Sequence, residues 1–263
     1  MGFKKLMASL GAGGAKVETE LRQADVYPGG VAEGNVRVEG GSVEQRIEGI
    51  AVGLRAKVEM ERVNSDGKKV EYLKNVDFYR EQVGDGFVIA PGAVIDLPFS
   101  MEVPWETPVT MFMGRKLTGM DVGVTTELAI ARAVDKGDLD PVSVHPLPAQ
   151  DALLNAFGQL GFAFKSADLE DGQMRGTRQR LPFYQEIEFR VPQQYPGLSE
   201  VELTFVADGR QMDVVLDMDK KGLFSGRDTR RSFVMDLDGH EGTDWAAYLH
   251  GWLAEVGGKR NFF

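Results

Sequence analysis

The sequence predicts an all-β protein made of two β-sandwich domains in tandem. Apolar residues alternate with polar ones over many short runs, turn signals separate these runs, and 32 of the 263 residues are glycine. One hydrophobic core rarely covers a chain of this length, so two domains are expected. The fractions of hydrophobic (43%) and charged (27%) residues are those of a folded globular protein and argue against wholesale disorder.

The first 14 residues depart from this alternation. One face of a short helix is indicated by the spacing of Phe3, Leu6, Met7 and Leu10. The glycine-rich residues 11–14 (GAGG) then end the pattern, so residues 1–14 are predicted to form an amphipathic helix on a hinge. Because two helical turns are marginal alone, this face needs a surface: its own domain, a second protomer or partner, or anionic lipid. These four residues are therefore candidates for partner binding.

Residues 15–137 are predicted to form the first sandwich. Strands are expected at residues 17–21, 35–39, 47–63, 70–83, 87–90, 93–103 and 120–134. Residues 64–67 (NSDG) predict a tight hairpin between the two longest of them. One face of the longer strand is expected to carry Ile50, Val52, Leu54, Ala56, Val58 and Met60.

Residues 138–148 hold three prolines and are predicted to be an extended linker to a second sandwich over residues 149–263. This second half begins with a helix at about residues 149–160. Strands are then expected at residues 162–168, 183–191, 200–207, 211–217 and 230–236. A last helix, capped by Thr243 or Asp244 and stopped at the glycine pair 257–258, carries a wide apolar face that includes Trp245 and Trp252.

Charge and composition exclude several classes of function. The net charge of −10 is shared evenly by both halves, which argues against nucleic-acid binding. No run of about 18 apolar residues is present, so no stable membrane insertion is expected, and we expect a cytoplasmic protein. The absence of cysteine excludes disulfides, thiolate catalysis and thiolate zinc sites. No cofactor is expected.

One acidic segment is a candidate metal site. Oxygen ligands for calcium are offered by Asp236, Asp238, Glu241 and Asp244, with His240 between them. The segment departs from the EF-hand pattern because Gly239 comes at its fourth position and His240 at its fifth. The alternative is a solvated loop whose acids favour the start of the last helix.

Catalytic motifs find little support. His145, His240 and His250 lack the spacing of metal ligands, and no GxSxG is present. Residues 11–16 (GAGGAK) resemble a phosphate loop but lack the GK[ST] ending and follow a helical pattern instead of a strand. A hinge is the better interpretation.

Several segments, in order and spacing, closely resemble the bacterial sporulation-control protein (SpoOM) family. They are FKKLMASLG at 3–11, AKVET at 15–19, YPGG at 27–30, GNVRV at 34–38, GGSVEQ at 40–45, LPFS at 97–100, WETPV at 105–109, VHP at 144–146 and LPFYQEIEF at 181–189. The resemblance implies that both sandwiches are arrestin-like. It also implies a cytoplasmic regulator of sporulation or developmental onset that acts by protein–protein contact.

The leading hypothesis is thus a non-catalytic adaptor whose partners are other proteins, with a homodimer as one open alternative. Edge strands accept extended peptides by strand addition, and the long strands at 46–63 and 69–83 are candidates if either lies at an edge. A second hypothesis is a ligand- or calcium-binding regulator that uses the acidic loop 236–244. A third is a hydrolase whose site is assembled from residues distant in sequence.

Overall fold

The computed structural model describes residues 7–9, 14–130, 138–221 and 229–257. The chain divides into two compact units. Unit 1 consists of Met1–Lys57, Asn75–Thr110 and Asp121–His145, and unit 2 consists of Val58–Lys74, Met111–Met120 and Pro146–Phe263. The division does not follow a single point in the sequence, because the tip of the long hairpin belongs to unit 2.

Strands dominate the described chain, which confirms the predicted all-β class. From the N-terminus to His145 they are β1 (Met7–Ser9), β2 (Lys16–Leu21), β3 (Asp25–Val26), β4 (Val31–Glu39), β5 (Gln45–Val63), β6 (Lys69–Ile89), β7 (Val94–Glu102), β8 (Met111–Phe112), β9 (Arg115–Lys116), β10 (Val122–Ile130), β11 (Asp138–Pro141) and β12 (Ser143–Val144). Then follow α1 (Pro148–Gln159), β13 (Ala163–Asp171), β14 (Phe183–Arg190), β15 (Leu198–Ala207), β16 (Gln211–Lys220), β17 (Thr229–Asp236) and α2 (Trp245–Gly257). Neither described helix combines the length and apolar character needed to cross a membrane.

Unit 1 contains an antiparallel sheet in the order β1-β2-β4-β7 and a second group in which β10 lies between β11 and β5. The two groups face each other across a buried hydrogen bond between the hydroxyls of Thr19 on β2 and Thr126 on β10. On β5 the predicted face is buried from Ile50 through Val58, and Met60 is half-buried. Alternation of side chains from Ile50 to Ala56 therefore supplies one wall of the unit 1 core.

Unit 2 contains the antiparallel sheet β13-β14-β15-β16-β17. Its apolar face meets both helices: Phe157 of α1 stacks on Phe189 of β14 at 4.6 Å, and Phe233 of β17 stacks on Trp245 of α2 at 5.7 Å. Among the described residues, the core of this unit thus lies between one sheet and two helices. Asp244 caps α2 by accepting a hydrogen bond from the Ala247 N–H at 2.9 Å, as the sequence predicted.

The predicted N-terminal helix is wrong for Met7–Ser9, which form strand β1. This strand pairs antiparallel with β2, so that Met7 lies opposite Glu18 and Ser9 opposite Lys16. Two isolated helical turns are marginal, whereas pairing with β2 supplies backbone hydrogen bonds directly. Phe3, Leu6 and Leu10 lie outside the described residues.

The segment predicted as a linker, residues 138–148, contains paired backbone. Strand β11 pairs antiparallel with β10, and β12 runs parallel to β3. The prolines of this segment suggested an unpaired linker. However, Pro141 lies at a strand end and Pro148 lies in the first turn of α1, and both positions tolerate the missing N–H of proline.

Candidate functional site

The sheet of unit 2 carries carboxylates on the face opposite its helices. On β14 the apolar side chains of Ile187 and Phe189 point to the core, so Glu186 and Glu188 take the other face. Register then places Asp168 opposite Glu186. We call this surface the acidic sheet face; its members are Asp168, Glu170, Glu186, Glu188, Glu200, Glu202, Asp217 and Asp219.

Rows of acid run across the strands of this face. One row joins Glu188 on β14, Glu202 on β15 and Asp217 on β16 before reaching Arg230 on β17. Carboxylate oxygens lie within 4.8 Å of one another in three interlocking groups: Asp168 with Glu170 and Glu186, Glu186 with Glu202 and Asp217, and Glu188 with Glu200 and Glu202. Like charges opposite each other destabilise a sheet, so this face needs protons or cations.

Two basic side chains neutralise part of the face. Lys165 Nζ lies 2.6 Å from Glu188 and 2.8 Å from Glu200, and Arg230 pairs with Asp217 at 2.7 Å. Burial of Glu188 would raise its pKa, but hydrogen bonds from Lys165 and Ser166 outweigh that effect and lower it. Glu188 therefore stays ionised at neutral pH.

Three other carboxylates of the face, Asp168, Glu186 and Glu202, hold their protons more tightly. Burial, reinforced by neighbouring negative charges, raises the pKa of Glu186 to about 8 and the pKa values of Asp168 and Glu202 to about 7. The Oδ1 atom of Asp168 is buried and has no hydrogen-bond partner among the described residues. Near neutral pH this part of the face thus exchanges protons with solvent.

A cavity of about 420 Å³ opens at the face and is bounded by Glu186, Glu202, Asp217, Asp219 and Arg230. Carboxylate oxygens are the donors that Ca²⁺ and Mg²⁺ take, and they also take protons. Proton or hard-cation binding is thus the chemistry that these residues allow.

The predicted calcium candidates have other contacts. Asp236 accepts a hydrogen bond from Gln211, and Asp244 is the cap of α2. Asp238 and Glu241 are exposed. Among the described residues, the groups with mutually close carboxylate oxygens lie on the sheet face and do not include this loop.

The three histidines contact ordinary neighbours. His145 Nε2 lies 2.8 Å from Asp25, and His250 Nδ1 lies 2.8 Å from the Tyr195 hydroxyl. His240 Nδ1 is 2.7 Å from the Leu237 carbonyl oxygen. Each side chain is thus bonded within its own unit.

The second exposed feature is the edge of the long hairpin. Strand β5 has β10 on one side and β6 on the other, whereas β5 is the sole neighbouring strand of β6 in the described part of the chain. We call residues 69–77 of β6 the β6 edge. Leu73 is 66% exposed there, and Val70 and Tyr72 are exposed beside it. Of the two long strands, β6 is therefore the one that can accept another strand.

These features define a class: an all-β protein that presents a carboxylate-lined sheet face and an open strand edge. The chain belongs to the SpoOM protein family, whose sequence profile matches residues 3–222. The family resemblance seen in the sequence is thereby confirmed.

A curated sequence and a crystal structure that resemble this chain bear the same name. The sporulation-control protein Spo0M of Bacillus subtilis (strain 168) is 34% identical over 221 residues, which cover 83% of this chain and 81% of that protein. The crystal structure of Spo0M from Bacillus subtilis matches with a TM-score of 0.77 and 28% identity, covering 93% of this chain and 99% of that one. The chain is therefore a relative of a sporulation-control protein.

Proposed function

We propose that this protein is a non-catalytic, cytoplasmic regulator of the sporulation-control type that acts by binding other proteins through the β6 edge. Family membership and the name of its Bacillus subtilis relative support the regulatory part. The binding part is supported by one observation, the open edge of β6 beside a fully flanked β5.

Strand addition suits this edge physically. Backbone N–H and C=O groups on the outer side of an edge strand can bond an extended peptide, and alternate side chains then select its sequence. The β6 edge offers Leu73 on one face of the strand and Tyr72 on the other, both exposed. A partner segment with apolar residues at alternate positions would cover them.

The test is complementation in a sporulating Bacillus subtilis strain that lacks its own Spo0M. Leu73→Lys puts a charge in the middle of the β6 edge, while Val63→Lys changes an equally exposed residue (67% against 66%) at the end of β5. We expect the wild type and Val63→Lys to restore normal sporulation and Leu73→Lys to fail at equal protein level. Affinity capture should lose the same bound proteins with Leu73→Lys alone.

Equal sporulation with both variants would overturn the assignment of the β6 edge. Loss of sporulation with both would also overturn it, because the effect would then follow from any added surface lysine.

A further inference from the structure

The β6 edge has a sequence that is complementary to itself in the register centred on Leu73. When two copies of a strand pair antiparallel about a two-fold axis normal to the sheet, each face continues onto the same face of the other copy. Residues directly opposite each other must therefore share a face. It follows that one residue lies on the axis, opposite its own copy, and this residue fixes the register.

Several other registers of residues 69–77 bring unfavourable pairs together. A centre at Glu71 sets Glu71 against itself, and a centre at Lys74 sets Lys74 against itself and Glu71 against Asp77. Like charges directly opposite each other destabilise a sheet. These two registers are excluded by charge.

Two further registers oppose charged and apolar side chains. A centre at Tyr72 sets Glu71 against Leu73, and a centre at Asn75 sets Leu73 against Asp77. A centre at Val70 sets Leu73 against Gly67, which lies in the turn before β6. In each case the most exposed apolar side chain of the strand gains no apolar partner.

A centre at Leu73 gives compatible pairs on both faces. On one face Leu73 lies opposite Leu73 of the second copy, with Lys69 opposite Asp77 on either side. On the other face Tyr72 lies opposite Lys74, which suits a cation over an aromatic ring.

The outer pairs of this register extend ion pairs that each copy already makes. Arg55 on β5 bonds Asp77 at 2.6 Å, and Lys69 bonds Glu61 on β5 at 2.5 Å. Placing Asp77 opposite Lys69 of the second copy joins the two pairs into a row of alternating charge across four strands. Lysine on an edge strand hinders random pairing, and here each lysine meets a partner of suitable chemistry.

We propose that a second copy of this chain pairs antiparallel with the β6 edge, with Leu73 at the two-fold axis. This inference rests on the proposed function of the β6 edge. It adds a way to regulate partner binding, because self-pairing occupies the strand that a partner protein would use. Binding of a partner and self-association then compete for the same backbone groups.

Cysteine cross-linking tests the register directly because the chain has no cysteine of its own. Opposite residues in an antiparallel pair have Cα atoms about 4.5–5.5 Å apart, within disulfide range. We expect purified Leu73→Cys to form a disulfide dimer under mild oxidation at least about tenfold faster than Val63→Cys, whose side chain is equally exposed.

A mixed experiment supplies a second register point. Lys69→Cys and Asp77→Cys should each fail to cross-link alone, because each lies about eight residues along the strand from its own copy. The two variants mixed together should form the heterodimeric disulfide. Equal rates for Leu73→Cys and Val63→Cys, or no mixed product, would overturn the register.

Sedimentation of the wild type completes the test. The average mass should rise with concentration for the wild type and stay monomeric for Leu73→Asp. A wild type that stays monomeric overturns self-pairing. If self-pairing fails while Leu73→Lys still abolishes sporulation and capture, the edge binds another protein, and the proposed function stands without this inference.

Discussion

The acidic sheet face and the β6 edge are both open to solvent, but they differ in what they can bind. The carboxylates of the face can bind cations and protons, whereas the backbone of the edge can bind another strand. On the face, Lys165 and Arg230 pair with some of the crowded carboxylates of their own chain, and burial raises the pKa of others such as Glu186. On the edge, β6 has β5 as its only neighbouring strand in the described part of the chain, so its outer backbone groups are open to another strand. Changes on the face should therefore alter stability and its pH dependence, whereas changes on the edge should alter association.

The largest effect on stability is expected from the protonated part of the face. In the folded protein the pKa of Glu186 is about 8 and the pKa of Glu202 is about 7. In the unfolded chain both groups have a pKa near 4.5. Between pH ~4.5 and pH ~8 the folded state therefore binds more protons than the unfolded state. The free energy of unfolding consequently falls as pH rises through this range. The double variant Glu186→Gln and Glu202→Gln should be more stable than wild type by at least about 2 kcal/mol at pH ~8 and equal at pH ~4, since both side chains are only partly buried and solvent screening reduces the full linkage value.

Urea unfolding at both pH values checks this difference. Self-association of the double variant should remain that of the wild type, measured by sedimentation. A variant that is no more stable than wild type at the higher pH would mean that burial does not hold protons on this face.

A smaller effect on stability is expected from Lys165, one of the two basic side chains of the acidic sheet face. Lys165→Met leaves Glu188 and Glu200 without their shared partner, so the free energy of unfolding should fall by about 1 kcal/mol at neutral pH. Because Lys165 lowers the pKa of Glu188, this stabilisation is present above pH ~4.5 and lost as pH falls below it.

Lys57→Met is the matched control for Lys165→Met. It removes an ion pair with Asp121 in which both side chains are about 40% exposed, and such pairs contribute little. Equal losses of unfolding free energy for the two variants would show that Lys165 is an ordinary surface residue.

The smallest effect on stability is expected at the edge itself. Leu73→Ser removes a side chain that is 66% exposed, so the free energy of unfolding should change by less than about 0.5 kcal/mol at concentrations where the chain is monomeric. Val63→Ser should behave alike. A loss above about 2 kcal/mol for Leu73→Ser alone would show that Leu73 packs within its own chain.

Local pattern was enough to predict the long hairpin and the buried side of β5. Alternation from Ile50 to Val58 and the turn at residues 64–67 both lie within one stretch of chain. The open edge could not be predicted, because it depends on β10 pairing with β5 from about 70 residues further along. The sequence left both long strands as candidates, and this long-range pairing chose β6.

Part of the acidic sheet face is visible in the local sequence pattern. Acid at every second position of β14, at Glu186 and Glu188, marks one face of a strand. The crowding arises only when Glu202 and Asp217 arrive from two other strands in register. At the N-terminus the apolar spacing over eight residues predicted a helix. Met7–Ser9 instead form a strand, because they pair with the backbone of β2.

The central claim, that the β6 edge pairs with another strand, is tested most directly by hydrogen exchange of the whole wild-type chain below and above its dissociation constant. Amides of residues 69–77 should exchange more slowly at the higher concentration, while those of β14 and β15 should exchange equally at both. Unchanged exchange at the β6 edge, in samples whose average mass has risen, would contradict the account.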